Sequence, residues 1–197
     1  MFSSVCVFCG SSSNAAGIHF DAARATADAV GARRLRLVYG GSHVGLMGAL
    51  ADRALALGVT VVGVIPQSLV AKEVAHTALT EQHVVESMHD RKALMNELSE
   101  SFVALPGGFG TLDELFETLT WAQLRFHSKP VGLLNVGGFF DGLLAFMQRA
   151  IDDGFLHPAH RDMIYVDEDP GRLLDRMSAF TPPEAGKWWT RPAPSAG

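Results

Sequence analysis

Three times along this chain a short apolar run ends in a turn rich in glycine and serine and passes into a segment with helical spacing. That recurrence constrains the fold more than any other feature. Val5-Cys6-Val7-Phe8 leads into Gly10-Ser11-Ser12-Ser13, the run 35–39 into the turn 40–48, and the run 101–105 into Gly107-Gly108-Phe109-Gly110-Thr111. Runs of four or five apolar residues suit buried strands, and Leu112, Leu115, Phe116, Leu119 and Phe126 recur at helical spacing after the third turn. Units of this kind, joined by right-handed crossovers, run their strands in one direction. The fold class read from the pattern is therefore α/β: a doubly wound, mainly parallel Rossmann-like sheet with helices on both faces. The three turns then converge at the carboxyl edge of the strands, where open α/β sheets bind ligands.

The pattern predicts further strands at 59–65, 81–86, 130–134 and 163–166. Helices are expected at 19–33, from the second turn towards Leu57, and at 90–100, 111–126, 139–152 and 170–180. At 197 residues and 48% hydrophobic content the chain suits one nucleotide-binding domain over 1–180, followed by a tail rich in proline, alanine and glycine over 181–197 that carries Trp188 and Trp189. A net charge of −5 provides no basic field for nucleic acid, and no apolar stretch has membrane-spanning length. Cys6 and Cys9 alone cannot form a disulfide framework, so a reduced, cytoplasmic protein is expected. The histidines show no metal-ligand spacing, and no metal is expected.

The third turn carries the strongest chemical signal. Gly107, Gly108 and Gly110 let the backbone approach a ligand closely, and the free N–H groups of the following helix start favour an anion such as phosphate. The same region ends on Glu114, a candidate catalytic carboxylate. Thr111-Leu112-Asp113-Glu114 also fits a capping box in which Glu114 merely reaches back to the N–H of Thr111. Upstream, Met88-His89-Asp90-Arg91-Lys92 opens a helix with Arg91 beside its apolar stripe of Leu94, Met95 and Leu98. Arg91 reads either as a snorkelling side chain or as a fork of donors for a nucleotide, with Lys92 adding a second positive charge. His43 and His89 adjoin these motifs as weaker candidates, and Asp113 with Glu117 reads as a solvated helix face.

Together, M-H-x-R-K at 88–92 and P-G-G-x-G-T-x-x-E at 106–114 resemble the "lonely guy" (LOG) family of cytokinin riboside 5′-monophosphate phosphoribohydrolases. The likeness also takes in Cys9-Gly10-Ser11-Ser12, Tyr39-Gly40-Gly41, Gly45-Leu46-Met47-Gly48 and Trp121-Ala122-Gln123-Leu124. It implies a Rossmann-like homodimer that cleaves the N-glycosidic bond of a purine nucleoside 5′-monophosphate, with AMP or an N6-modified adenine nucleotide as substrate and no cofactor. The resemblance gives Arg91 and Glu114 catalytic roles. It places substrate against Glu73, Arg91, Lys92, Gly107, Gly108, Phe109, Gly110, Thr111, Leu112, Asp113, Glu114 and Thr120, to which the converging turns add Gly10, Ser11, Gly40, Gly41 and Gly45. Asp90 stands where the family usually has glutamate, and Ser42-His43 replaces a segment richer in small residues. The alternative is a nucleotide or cofactor carrier without catalysis, because glycine turns on such a sheet can bind without reacting. Pyridoxal-phosphate decarboxylation would need a Schiff-base lysine, and only Lys72, Lys92, Lys129 and Lys187 are available. A dinucleotide dehydrogenase would need G-x-G-x-x-G after the first strand, which is missing.

Overall fold

The computed structural model describes residues 2–70, 72 and 74–182. Glu73, Trp188 and Trp189 lie outside them. Seven strands form one sheet: β1 (Ser4–Phe8), β2 (Arg36–Tyr39), β3 (Val61–Pro66), β4 (Glu81–Val85), β5 (Phe102–Ala104), β6 (Val131–Leu134) and β7 (Ile164–Asp167). Their order is β4-β3-β2-β1-β5-β6-β7, and every pair is parallel. The helices are α1 (Gly17–Ala32), α2 (Gly45–Ala56), α3 (Gln67–Val70), α4 (Met88–Glu97), α5 (Phe109–Gln123), α6 (Asp141–Asp152) and α7 (Pro170–Ser178).

Successive strand side chains point to opposite faces, which divides the core into two layers. Val5, Val7, Leu37 and Tyr39 pack with α1, α2 and α7, while Cys6, Phe8, Val38 and Val62 pack with α4, α5 and α6. Burying a leucine such as Leu37 contributes roughly 2 kcal/mol, and small residues such as Ala23, Ala27, Ala51 and Ala54 let α1 and α2 pack closely. Cys6 and Cys9 are free, buried thiols in different layers.

Sheet order reverses between β1 and β5, so the turns that follow them lie side by side. The Gly10 N–H donates to the Pro106 carbonyl at 3.1 Å, and the Leu46 N–H at the start of α2 donates to the Gly10 carbonyl at 3.0 Å. Gly45 has a φ of +59°, and a Cβ there would strike the backbone of Ser11. Only glycine allows this docking of α2 on the first turn.

Several element ends differ from the sequence expectation for identifiable reasons. Helix α4 begins at Met88, two residues early, because Ser87 and Asp90 form a capping box: Asp90 N–H donates to Ser87 Oγ at 3.1 Å and Ser87 N–H to Asp90 Oδ2 at 3.1 Å. Helix α5 begins at Phe109 with Gly108 as its N-cap, and it ends before Arg125, which turns the chain with a φ of +64°. Helix α6 begins at Asp141 because Asn135 holds a tight turn ahead of it, accepting from the Phe140 N–H at 2.6 Å. Helix α3 is too short to leave a periodic signal. Among the described residues no helix is long and apolar enough to cross a membrane.

Candidate active site

A cleft of about 380 Å³ opens at the carboxyl edge around the switch point. Gly10, Ser11, Gly40, Gly108, Phe109, Gly110 and Thr111 line it, with Arg91 and Glu114 among its buried walls. An apolar side is added by Val44, Met47, Leu69, Val74 and Met88. These residues are scattered over four loops and helices. Val44 and Met47 fall inside a glycine-rich segment and Met88 opens the M-H-x-R-K motif, whereas Leu69 and Val74 stand in no motif.

Arg91 is only 7% exposed and is held by backbone oxygens of β3 and of the turn that follows β2. Its Nε donates to the Val64 carbonyl at 3.0 Å and its Nη2 to the Gly40 carbonyl at 3.1 Å. A Cβ on Gly40 would occupy the place of Nη2, so the absent side chain at 40 creates the seat for the guanidinium. Nη1 remains directed towards Met88 Sδ at 3.8 Å and Glu114 Oε1 at 3.6 Å. The snorkelling alternative fails because the head group itself is buried.

Glu114 is 8% exposed and lies more than a turn into α5. The capping-box alternative is not adopted, since α5 starts two residues earlier and no side chain caps it. Burial raises the Glu114 pKa to about 7; Arg91 and Lys92 pull it down, and Asp113 and Glu117 add to the rise. A carboxyl group poised near neutrality inside a cleft is suited to chemistry. Burial also raises the Cys9 thiol far above its ordinary value, helped by the Glu114 charge, so Cys9 stays a neutral part of the wall.

Phe109, Gly110 and Thr111 of the first turn of α5 line the cleft, and that turn carries no acidic side chain, so its helix-dipole charge is available to an anion. Gly107 stands behind this turn, where a Cβ would overlap Thr111 Oγ1 and crowd the Gly10 nitrogen. Gly41 packs against Val64 and Ile65, and Gly45 against Ser11. These three glycines shape the cleft without lining it.

Other sequence candidates fall elsewhere. Lys92 does not line the cleft; its Nζ lies 3.0 Å from Asp113 Oδ2 and 3.2 Å from Glu117 Oε1. Asp113 and Glu117 therefore hold a lysine instead of forming a merely solvated face. Leu112 packs against the α4–α6 core layer. Thr120 donates to the Phe116 carbonyl at 2.7 Å and lies with Phe109, Phe116 and Trp121 around a shallow depression on the outer side of α5. His43 and His89 are exposed and outside the cleft lining, and Glu73 lies outside the described residues.

A family model described as "Possible lysine decarboxylase" matches residues 47–177. Among solved structures, the molybdenum cofactor binding protein from Rippkaea orientalis superposes with a TM-score of 0.69 at 20% identity, covering 91% of this chain and 98% of that one. A molybdenum cofactor carrier protein from Chlamydomonas reinhardtii gives 0.65 at 21% identity, over 89% and 98% of the two chains. At such identity the likeness shows the fold alone. Sequence similarity to curated proteins is much higher. "Cytokinin riboside 5'-monophosphate phosphoribohydrolase LOG5" of Arabidopsis thaliana is 45% identical over 94% of this chain and 81% of its own length. "Probable cytokinin riboside 5'-monophosphate phosphoribohydrolase LOGL9" of Oryza sativa subsp. japonica is 48% identical over 92% of this chain and 80% of its own. Similarity of this degree across nearly the whole chain shows that it belongs to the LOG family of cytokinin riboside 5′-monophosphate phosphoribohydrolases.

Proposed function

We propose that this protein hydrolyses the N-glycosidic bond of an adenine-type nucleoside 5′-monophosphate, AMP or its N6-prenylated relatives, and releases the free base and ribose 5-phosphate. The observation that carries this reading is the burial of Arg91 and Glu114 together, 3.6 Å apart, in a cleft that begins at an uncapped helix start. Family membership supports the same activity.

The cleft divides naturally along such a substrate. Its volume is in the range of small-ligand sites. The phosphate belongs at the N–H groups of Gly110 and Thr111, with Ser11 opposite. The base belongs against the apolar side formed by Val44, Met47, Leu69, Val74 and Met88. The ribose then lies over Glu114 and Arg91. As the bond between the anomeric carbon and the base nitrogen breaks, positive charge grows on the sugar and negative charge on the base. Ionised Glu114 stabilises the sugar cation and orients the attacking water; the water oxygen bonds to the anomeric carbon and its proton ends on the departing base. Arg91 keeps its proton and acts electrostatically, through the one nitrogen its backbone anchors leave directed at the cleft. No step calls on a cofactor or metal. Activity is expected to rise as pH passes through about 7, where Glu114 ionises.

A pyridoxal-phosphate decarboxylase would need a lysine at the cleft, and among the described residues Lys72, Lys92 and Lys129 do not line it. The buried acid beside a guanidinium likewise favours a reaction over simple carriage. The exposed apolar side chains of α5, α6 and the turn after α6, with Phe109 94%, Phe155 83% and Phe146 66% exposed, support a homodimer packed through this face, and Thr120 belongs to it. Light scattering on the purified protein tests that assembly. The free Cys6 and Cys9 support a reducing, cytoplasmic setting.

The direct test incubates the protein with AMP and with isopentenyladenosine monophosphate, using their unphosphorylated ribosides as controls, and measures released base. The reading predicts cleavage of the phosphorylated compounds. Equal cleavage of the ribosides would remove the phosphate cradle, and tight retention with no base released would favour a carrier.

A further inference from the structure

We infer that His76 is a positioning residue for the base side of the cleft: through Asp52 it latches the segment 74–78 onto the second glycine turn and so holds Val74 in the apolar wall that Val44 and Met47 begin. The inference rests on the nucleotide reading above, which places the base against these side chains.

The segment 74–78 crosses the second turn as a strap and belongs to no named strand or helix. Its backbone meets the turn at one isolated antiparallel bridge, Ser42 to Ala75. Two hydrogen bonds flank it: the His43 N–H donates to the Val74 carbonyl at 3.0 Å, and the His76 N–H to the Gly41 carbonyl at 2.9 Å. A pairing this short is marginal by itself. The His76 side chain supplies what the bridge lacks. It is 7% exposed, and both ring nitrogens are engaged. Nδ1 accepts from the Ala78 N–H at 3.1 Å, which leaves the ring proton on Nε2, and Nε2 donates to Asp52 Oδ1 at 3.0 Å. The first contact shapes the strap, and the second ties it to α2.

Helix α2 therefore serves the cleft twice. Met47 in its first turn lines the apolar side, and Asp52 further along receives the latch. Val74 lines the same side from the strap. The second turn has support of its own: the Tyr39 hydroxyl donates to the Ser42 carbonyl at 3.2 Å, and Gly41 packs on Val64 and Ile65. Releasing the latch thus loosens Val74 and leaves the Gly40 seat of Arg91 in place. The loss falls on the base of the nucleotide, while the phosphate at α5 is untouched.

The experiment compares wild type with His76→Ala, Asp52→Ala and Asp52→Asn. The Asp52 side chain is 74% exposed, so its replacement keeps the core intact even where His76→Ala fails to fold. Asparagine retains an oxygen that accepts from Nε2. For Asp52→Ala the KM for AMP hydrolysis is expected to rise about threefold to tenfold, the scale of one lost hydrogen bond, with kcat little changed. His76→Ala follows it, and Asp52→Asn retains the wild-type KM. Ribose 5-phosphate has no base, so its inhibition constant should be the same in every variant. In the Glu114→Gln background, where turnover is blocked, AMP affinity by calorimetry should keep this order, and amide hydrogen exchange should quicken at His43 and His76 in Asp52→Ala. Equal weakening of AMP and ribose 5-phosphate would reveal a general structural loss and overturn the inference, as would an unchanged KM in Asp52→Ala. Protein that binds AMP in this order and releases no base would sink the hydrolase reading alone.

Discussion

Replacing Glu114 with glutamine should make the protein more stable at alkaline pH while disabling it. The side chains are nearly the same size, so the substitution leaves the packing of α5 in place and removes only the ability to ionise. In the wild type the carboxyl is held at about 7 in the fold against an ordinary 4.5, chiefly by burial. Between those values the folded protein binds more protons at this site than the unfolded chain does, so native stability falls as pH rises through the window. Integrated from pH 4 to pH 8, the loss is about 3 kcal/mol at 1.36 kcal/mol per unit, as an order of magnitude. The Glu114→Gln variant lacks this term. Arg91 has no ionised partner at 114 in either protein at pH 4, so the comparison begins from matched states. Urea unfolding of both proteins at half-unit steps of pH gives the difference by linear extrapolation. The gap should widen in favour of the variant by about 3 kcal/mol from pH 4 to pH 8. Parallel stability curves would show that Glu114 ionises at an ordinary pKa and would refute the burial argument. A gap that widens in the opposite direction would mean that Arg91 dominates the site.

Three further outcomes follow from the same geometry. Glu114→Gln and Arg91→Ala should each keep the fold, as read by circular dichroism, yet lose at least about a hundredfold in turnover, the scale for removing a transition-state interaction. Near-normal hydrolysis by either variant would remove that residue from the mechanism. Gly40→Ala should reduce kcat almost as severely, because its methyl group takes the place of Arg91 Nη2, while overpacking costs about 1–3 kcal/mol of stability; an active Gly40→Ala enzyme would show that the guanidinium does not need this seat. Ser87→Ala should cost about 1 kcal/mol in urea unfolding by uncapping α4, and an unchanged midpoint would remove the capping box as a source of stability.

Strands β1, β2 and β5 were legible because each is an apolar run leading into a glycine-rich turn, a signal local to each run; β4, with Glu81, Gln82 and His83, shows it least. Element ends were less legible, because Ser87 with Asp90, Gly108 and Arg125 set them through turn geometry that periodicity does not encode. The charged residues divide in the same way. Arg91 and Glu114 stand in compact motifs, but the Gly40 and Val64 carbonyls that anchor Arg91 come from the turn after β2 and from β3, and their proximity depends on sheet order. Lys92 stands in the same motif as Arg91, but its approach to Asp113 and Glu117 depends on how α4 packs on α5, which one dimension does not encode. On the apolar side of the cleft Met88 belongs to the M-H-x-R-K motif, but Leu69 and Val74 are isolated residues in segments with no shared pattern.

In the proposed reaction water, activated beside Glu114, replaces the base at the anomeric carbon of a bound nucleoside monophosphate. Turnover of isopentenyladenosine monophosphate in water enriched in oxygen-18, with mass spectrometry of both products, tests it directly. In samples quenched before the free sugar exchanges its anomeric oxygen with solvent, one solvent oxygen is expected at C1 of ribose 5-phosphate and none in the released base. Label in inorganic phosphate, or nucleotide recovered intact from the protein, would contradict it.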